Sequence, residues 1–97
     1  MARVKWLLEA VNDVERLFTF LKDKDVEAAA RAASCILEGA KLLTTSPRLG
    51  RPMPDETGRR ELFVAFGAGA YVLRYILESE NSAIVIRVWH SKENRVA

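Results

Sequence analysis

The sequence predicts an α+β domain in which a helical hairpin covers one face of an antiparallel sheet. Three observations lead to this prediction. Apolar residues recur at three-and-four spacing across residues 11–43, they alternate with period two across residues 60–90, and short turns separate the alternating runs. The expected order is an N-terminal strand, a helical hairpin and a three-stranded antiparallel meander, with the helices on one face of the sheet.

The length and composition predict a single folded domain, residues 1–97, because a chain of this size can bury one hydrophobic core. Apolar residues make up 49% of the chain and charged residues 29%, which is too apolar for a disordered protein. No uncharged run approaches the roughly 18 apolar residues needed to cross a bilayer, and the N-terminus lacks a signal-peptide pattern. We therefore expect a cytoplasmic protein without membrane contact.

The cysteine and histidine content predicts neither a disulfide nor a metal site. Cys35 is the single cysteine and His90 the single histidine, so an internal disulfide and a zinc cluster are both excluded. Cys35 lies among alanines of a predicted helix, which favours a packing role. No metal and no cofactor is expected.

The first half of the chain predicts one strand and two helices. Residues 3–8 read as a short opening strand, and Asn12 or Asp13 is the expected cap of a helix that ends at Leu21 or Lys22. Asp23 or Asp25 is the expected cap of a second, alanine-rich helix of about 18 residues. Its predicted buried stripe comprises Ala29, Ala33, Ile36, Leu37, Ala40 and Leu43.

The second half predicts a loop followed by the meander. Residues 44–59 contain all three prolines and two glycines, which is typical of an exposed loop. Strands are expected at residues 60–66, 70–77 and 83–90. Period two predicts a face toward the helices that comprises Tyr71, Leu73, Tyr75, Leu77, Ile84, Ile86 and Val88, and an opposite face that comprises Val72, Arg74, Ile76, Val85, Arg87 and Trp89.

Basic side chains in these strands are the candidate functional residues. Arg60, Arg74, Arg87 and His90 form the one set suited to a phosphate ester, since arginines stabilise developing charge and histidine exchanges protons near neutral pH. The alternative is structural: the arginines pair with carboxylates and His90 completes a strand end. Seven of the eight basic residues after position 45 are arginines, which suits an acidic partner.

Four segments follow one another in a recognisable order: SPRLGRPMP, RELFVAF, YVLRYIL and IVIRVWH, with VNDVERLFTFLKD ahead of them. Over essentially the whole chain they resemble the RelE/ParE superfamily of type II toxin–antitoxin toxins. The resemblance implies a small growth inhibitor that a cognate antitoxin wraps and neutralises. It also implies a role in plasmid stabilization and contact with operator DNA indirectly, through the antitoxin.

The superfamily divides by mechanism, and the resemblance favours its ParE-like branch. That branch poisons DNA gyrase, whereas the RelE-like branch cleaves mRNA in the ribosomal A site with basic residues and often a C-terminal histidine, tyrosine or phenylalanine. By position, Arg87 and His90 match the arginine and histidine of the last strand. Val72 stands where the ribonuclease pattern commonly has arginine, and the lysine-rich loop is replaced by RLGRPMPDETG.

The expected function is therefore a toxin that inhibits gyrase and is held inactive by its antitoxin. Two alternatives remain open: a ribosome-dependent mRNA endoribonuclease that uses Arg74, Arg87 and His90, and a non-toxic binding module or corepressor. The residues expected to bind the target or the antitoxin are Arg60, Arg74, Arg87, Trp89, Lys92 and Arg95.

Overall fold

A computed structural model describes residues 1–93 and confirms the predicted α+β fold, with an additional short strand in the proline-rich loop. The elements are β1 (Arg3–Trp6), α1 (Leu8–Lys22), α2 (Val26–Leu42), β2 (Arg51–Pro52), β3 (Arg59–Phe66), β4 (Gly69–Ser79) and β5 (Ser82–His90). None of the helices in residues 1–93 is long and apolar enough to span a membrane.

The five strands form one mixed sheet in the order β1-β5-β4-β3-β2. β3, β4 and β5 pair antiparallel, as the short turns between them predict. β1 lies parallel to β5, which is possible because the helical hairpin carries the chain back across the sheet. β1 has four residues and β2 has two, so each covers only part of the strand beside it.

The helices cover one face of the sheet, and Tyr75 lies fully buried between the layers. Its hydroxyl donates to the Pro47 carbonyl oxygen at 2.7 Å and accepts the Gly50 amide at 2.8 Å. A Cβ at Gly50 would lie 2.5 Å from the Tyr75 ring, so the proline-rich loop can approach the ring only with glycine there. The other large, fully buried side chains are Ile36, Leu43, Val72, Leu73, Val85 and Val88.

The helix boundaries differ in part from the sequence prediction. α1 begins at Leu8 without a side-chain cap, so the predicted cap at Asn12 or Asp13 is wrong. α2 begins after Asp25, whose carboxylate accepts the Ala28 amide at 3.1 Å. Of the two predicted caps, Asp23 and Asp25, the second is therefore confirmed.

The buried stripe of α2 is also shifted from the prediction. Ala32 and Gly39 are buried, whereas Leu37, predicted to be buried, is 56% exposed. The shift brings Gly39 against Val64 of β3, where a Cβ would lie 2.6 Å from a Val64 methyl carbon.

The predicted faces of β5 are wrong before residue 87 because a β-bulge interrupts the period of two. Arg74 pairs with Arg87, but Tyr75 pairs with Val85, so Ile86 is the extra residue. Ala83, Val85 and Val88 consequently face the helices, and Ile84 and Ile86 are only partly buried. Arg87 and Trp89 keep the positions that alternation predicts.

Candidate functional site

The face of the sheet opposite the helices, here called the outer face, carries the mid-strand arginines. Glu61, Arg74 and Arg87 lie side by side on β3, β4 and β5. Arg74 donates from Nε and Nη2 to one Glu61 carboxylate oxygen, at 3.0 and 2.8 Å. Its guanidinium also lies 4.8 Å from the centre of the Trp89 ring. Two arginines opposite each other would repel, so the carboxylate on Arg74 stabilises this pairing.

Arg87 has its own carboxylate, supplied by α1. Its Nε and Nη2 atoms donate to the two oxygens of Asp13 at 2.8 and 3.1 Å, and Asp13 is only 5% exposed. Burial opposes ionisation of Asp13, but the hydrogen bonds from Arg87 and from the Val88 amide outweigh it and lower the pKa of Asp13. The same bond to Asp13 raises the pKa of Arg87.

β1 pairs with residues 82–85 of β5, so it does not reach residues 86–90, which we call the β5 edge. Carboxylate side chains accept the backbone amides of this edge. The Val88 amide donates to Asp13 at 2.8 Å, and the His90 amide donates to Glu93 at 2.9 Å. Arg16 contacts both of these carboxylates. Two acidic side chains bridged by one arginine thus satisfy backbone donors that β1 does not reach.

His90 lies on the helix-facing side of the sheet, with both ring nitrogens occupied. Its Nε2 is 3.1 Å from the Phe66 carbonyl oxygen, and its Nδ1 accepts the Lys92 amide at 3.2 Å. Because Nδ1 accepts a hydrogen bond from the Lys92 amide, the ring hydrogen is on Nε2, which donates it to the Phe66 carbonyl oxygen. The ring also meets buried Tyr71 edge-on, with centroids 4.9 Å apart.

The structure therefore does not bring the predicted phosphate-ester set together. Arg74 and Arg87 are neighbours on the outer face, whereas His90 is on the other side of the sheet. Arg60 donates to the carbonyl oxygens of Arg48 and Gly50 at 3.1 and 2.7 Å, so it holds the proline-rich loop.

The remaining candidate binding residues lie near the end of β5. Trp89 is on the outer face under Arg74, and Lys92 is exposed beside His90. Arg95 lies outside the described residues. Lys92 borders a cleft of about 640 Å³ between α1 and the β3–β4 turn. Phe20, which is 61% exposed, is the most accessible aromatic residue of this cleft.

A second exposed apolar surface lies at the opposite side of the sheet. β2 pairs with Arg60 and Glu61 of β3 and reaches no further. Within residues 1–93 no strand lies beside residues 62–66, and we call this segment the β3 edge. Phe63 is 47% exposed there, beside Leu42 at 52% and Leu49 at 51%. Within residues 1–93, no group of three or more histidine, cysteine or acidic side chains is arranged to bind a metal.

The sequence reasoning missed Asp13 and Glu93 as ligands of the β5 edge, and it missed the β3 edge. One signal was present for Asp13: it stands between Ala10 and Leu17 on the buried side of α1, where an acidic residue needs a partner. Its partners lie 74 and 75 residues away, so local pattern could not identify them.

Comparison with known proteins gives consistent results. Residues 4–95 match the family described as ParE toxin of type II toxin-antitoxin system, parDE. The chain is 38% identical over 88 residues to Toxin RelE1 of Caulobacter vibrioides, and the aligned residues cover 91% of each of the two chains. It is 36% identical over 86 residues to Toxin RelE3 of the same organism, covering 89% of this chain and 90% of the relative.

A solved structure shares the fold. It is a chain of the chromosomal ParDE TA system from P. aeruginosa, with a TM-score of 0.76, 21% sequence identity, and coverage of 93% of this chain and 96% of that one. At this identity the likeness supports the two helices and the mixed sheet, and nothing finer.

Proposed function

Because the chain belongs to the ParE toxin family of type II toxin–antitoxin systems, we propose that it arrests growth by binding and inhibiting DNA gyrase. Its family membership makes it a toxin with a cognate antitoxin as partner. The proposal adds the target and the mode of action: the toxin binds a protein and hydrolyses nothing, and the antitoxin relieves the inhibition by binding the toxin.

The observation that supports a binding mechanism is the placement of Arg74, Arg87 and His90. Proton transfer requires an acid or base within hydrogen-bond reach of the reacting group. His90 instead bonds to Phe66 and Lys92 through its two ring nitrogens, on the face away from Arg74. Both arginines hold carboxylates of this chain. A nuclease would have to break these contacts to assemble its site.

Ribosome-dependent mRNA cleavage is the second candidate. The names of the two Caulobacter relatives, Toxin RelE1 and Toxin RelE3, favour it. In this candidate the arginines exchange their carboxylates for phosphates, and His90 turns away from Phe66. The same residues then act as catalytic groups rather than structural ones.

A gyrase supercoiling assay tests the proposal. Purified toxin in excess should block supercoiling or accumulate cleaved DNA, and prior mixing with the antitoxin should restore supercoiling. The parallel arm adds toxin to ribosomes translating a defined mRNA and looks for cleaved message. Cleavage there without any effect on gyrase would overturn the proposal in favour of the second candidate.

His90→Ala separates the two mechanisms in the same assays. Under the gyrase proposal, a His90→Ala toxin that retains a cooperative melting transition inhibits supercoiling like the parent protein. Under the nuclease alternative, that folded variant loses message cleavage by at least about a hundredfold, the usual scale for a general acid or base.

A further inference from the structure

We infer that the cleft between α1 and the β3–β4 turn, here called the α1 cleft, is a binding site for a small apolar carboxylate, either aliphatic or aromatic. The inference does not depend on whether gyrase or mRNA is the target of the toxin. Three features of the cleft support it: the size and apolar character of its walls, a buried hydroxyl group without a hydrogen-bond partner, and the positive charge at its mouth.

The walls of the α1 cleft are apolar, and the space between them fits a small molecule. Its volume of about 640 Å³ lies within the range of roughly 300–1,000 Å³ that ligand sites occupy. α1 supplies Leu17, Phe20 and Leu21, and the sheet supplies Phe66 and Tyr71. Aliphatic and aromatic walls bind apolar groups because contact removes both surfaces from water. The body of the ligand should therefore be apolar.

The side of the cleft that the sheet forms is held in place without a ligand. The Tyr71 ring packs against two other rings, with its centroid 5.1 Å from that of Phe66 and 4.9 Å from that of His90. Ser91 fixes the end of β5 to β4: its hydroxyl oxygen accepts the Ala70 amide at 3.0 Å, and its own amide donates to the Ala70 carbonyl oxygen at 2.7 Å. A preformed site loses little conformational entropy on binding, which favours affinity for a small ligand.

The hydroxyl group of Tyr71 is a polar group that the fold leaves without a partner. Tyr71 lines the cleft and is only 2% exposed, yet its hydroxyl has no hydrogen bond to any of residues 1–93. Every fully buried side-chain nitrogen and oxygen in that part of the chain does have a partner. The Tyr71 hydroxyl must therefore retain some exposure, and it does so in the cleft. Buried tyrosine hydroxyls usually have a hydrogen-bond partner, and a ligand would supply it here.

This hydroxyl group acts as a donor. Burial is the main cause of a raised pKa of Tyr71, and the nearby Cys35 and Glu93 raise it further, so the hydroxyl keeps its proton. A donor in an apolar cleft is best matched by a charged acceptor, because hydrogen bonds to ionised oxygens are the stronger ones. A carboxylate oxygen of the ligand meets this requirement.

The charge at the mouth of the α1 cleft also favours an acid. Lys92 lines the cleft and is exposed, and Lys24 lies over the Phe20 ring, 4.9 Å from its centre. Among residues 1–93, neither lysine pairs with a carboxylate. Of those residues, the one acidic side chain that lines the cleft is Glu93, which is already paired with Arg16. The mouth thus has unpaired positive charge, which attracts an anion and repels a cation.

Isothermal titration calorimetry of the purified full-length toxin tests the site, with octanoate and 4-phenylbutyrate as probes. Both acids should bind, and octylammonium and octanol should bind at least about tenfold more weakly than octanoate, because they have its apolar body without its negative charge. Equal affinity for octanoate and octylammonium would overturn the inference. So would dissociation constants above about 10 mM for both acids, which is too weak for a specific site.

Phe20→Ala and Leu37→Ala are a matched pair that locates the bound acid. The two parent side chains are exposed on helices to a similar extent, 61% and 56%, but only Phe20 lines the cleft. Phe20→Ala removes an aromatic wall and should weaken octanoate binding by about tenfold, whereas Leu37→Ala should bind octanoate like the parent protein. Equal affinities of the two variants would mean that the acid binds elsewhere, and the inference would fail.

Tyr71→Phe and Lys92→Gln test the two polar contacts separately. Tyr71→Phe keeps the buried ring, so the variant should melt cooperatively while its affinity for octanoate falls by about tenfold. Lys92→Gln removes a positive charge from the mouth and should reduce the preference for octanoate over octylammonium. Parent-like behaviour of both variants would show that the probes adsorb through apolar contact alone, which contradicts a carboxylate site.

A protein side chain is the rival occupant of the cleft. Nuclear magnetic resonance spectra of isotope-labelled toxin separate the two cases. If neither acid shifts the resonances of Phe20 and Tyr71, but the purified cognate antitoxin does, a protein fills the cleft and the inference fails. Shifts of these resonances on addition of octanoate, with those of Leu37 unchanged, would support it.

Discussion

The two edges of the sheet differ in how their uncovered backbone groups are hydrogen-bonded. In each case a short outer strand leaves part of the inner strand uncovered: β1 pairs as far as Val85 of β5, and β2 pairs as far as Glu61 of β3. At the β5 edge, Asp13 and Glu93 accept the exposed amides, and Arg16 joins the two carboxylates. At the β3 edge, the hydrogen bond found among the described residues is the weak one from Cys35 to Ala65.

This difference shows where the chain can accept a partner strand. An uncovered edge invites pairing with other chains, and charged side chains are a common protection. The β5 edge has that protection within its own sequence, and it adds a half-exposed arginine on the outer face. The β3 edge has an exposed phenylalanine instead. Its exposure is understandable if a partner normally covers it.

The largest expected effect tests the bulge on which the β5 edge depends. The bulge at Ile86 directs Val85 and Val88 into the core and leaves Arg87 on the outer face. Val85→Asp would bury an unpaired carboxylate at a site with no solvent exposure, at a cost above about 4 kcal/mol, close to the whole stability of a small domain. We expect no cooperative transition in circular dichroism melting.

Ile86→Asp is the matched variant for this test. Its parent side chain is only partly buried, so the variant should remain soluble and melt cooperatively. An unfolded Ile86→Asp beside a folded Val85→Asp would show that β5 has the uninterrupted alternation that the sequence suggested.

The bulge also shows which features of the sequence were informative. Periodicity predicted every element of the fold except β2, because apolar spacing records which side of a long element is buried. One inserted residue at Ile86 reverses the phase without changing the composition, so alternation assigned Val85 to the wrong face. Arg74 and Arg87 bond to carboxylates that lie 13 and 74 residues away in the sequence. Such contacts depend on strand register and packing, so the local pattern could not predict them.

An intermediate effect is expected from removing the carboxylate of Asp13. Asp13→Ala leaves the Val88 amide without an acceptor and Arg87 without its partner, so the free energy of unfolding should fall by about 2–4 kcal/mol. Cys35→Ala is the control at the β3 edge and should lose about 1 kcal/mol or less, mainly from packing. Urea denaturation of both variants measures the difference; equal losses would remove the distinction between the two edges.

The smallest effect concerns acid stability, and it isolates the charge of Asp13 from its shape. The pKa of Asp13 is lowered on folding because the bonds from Arg87 and Val88 outweigh burial. A carboxylate with a lowered folded pKa stabilises the protein above its unfolded pKa, about 3.9, and this contribution is lost as pH falls through the folded value. Stability should therefore decline below about pH 4.

Asp13→Asn should remove this component of the pH dependence while keeping an oxygen that can accept the Val88 amide. Other acidic groups with lowered pKa, Asp55 and Glu78, titrate in both proteins, so the difference between the two urea-denaturation curves reports Asp13. The stability of the parent should exceed that of the variant at pH 7, and the gap should narrow as the solution is acidified. A gap that stays constant down to pH 2 would mean that the charge of Asp13, and with it the ion pair with Arg87, adds nothing to the stability of the folded protein.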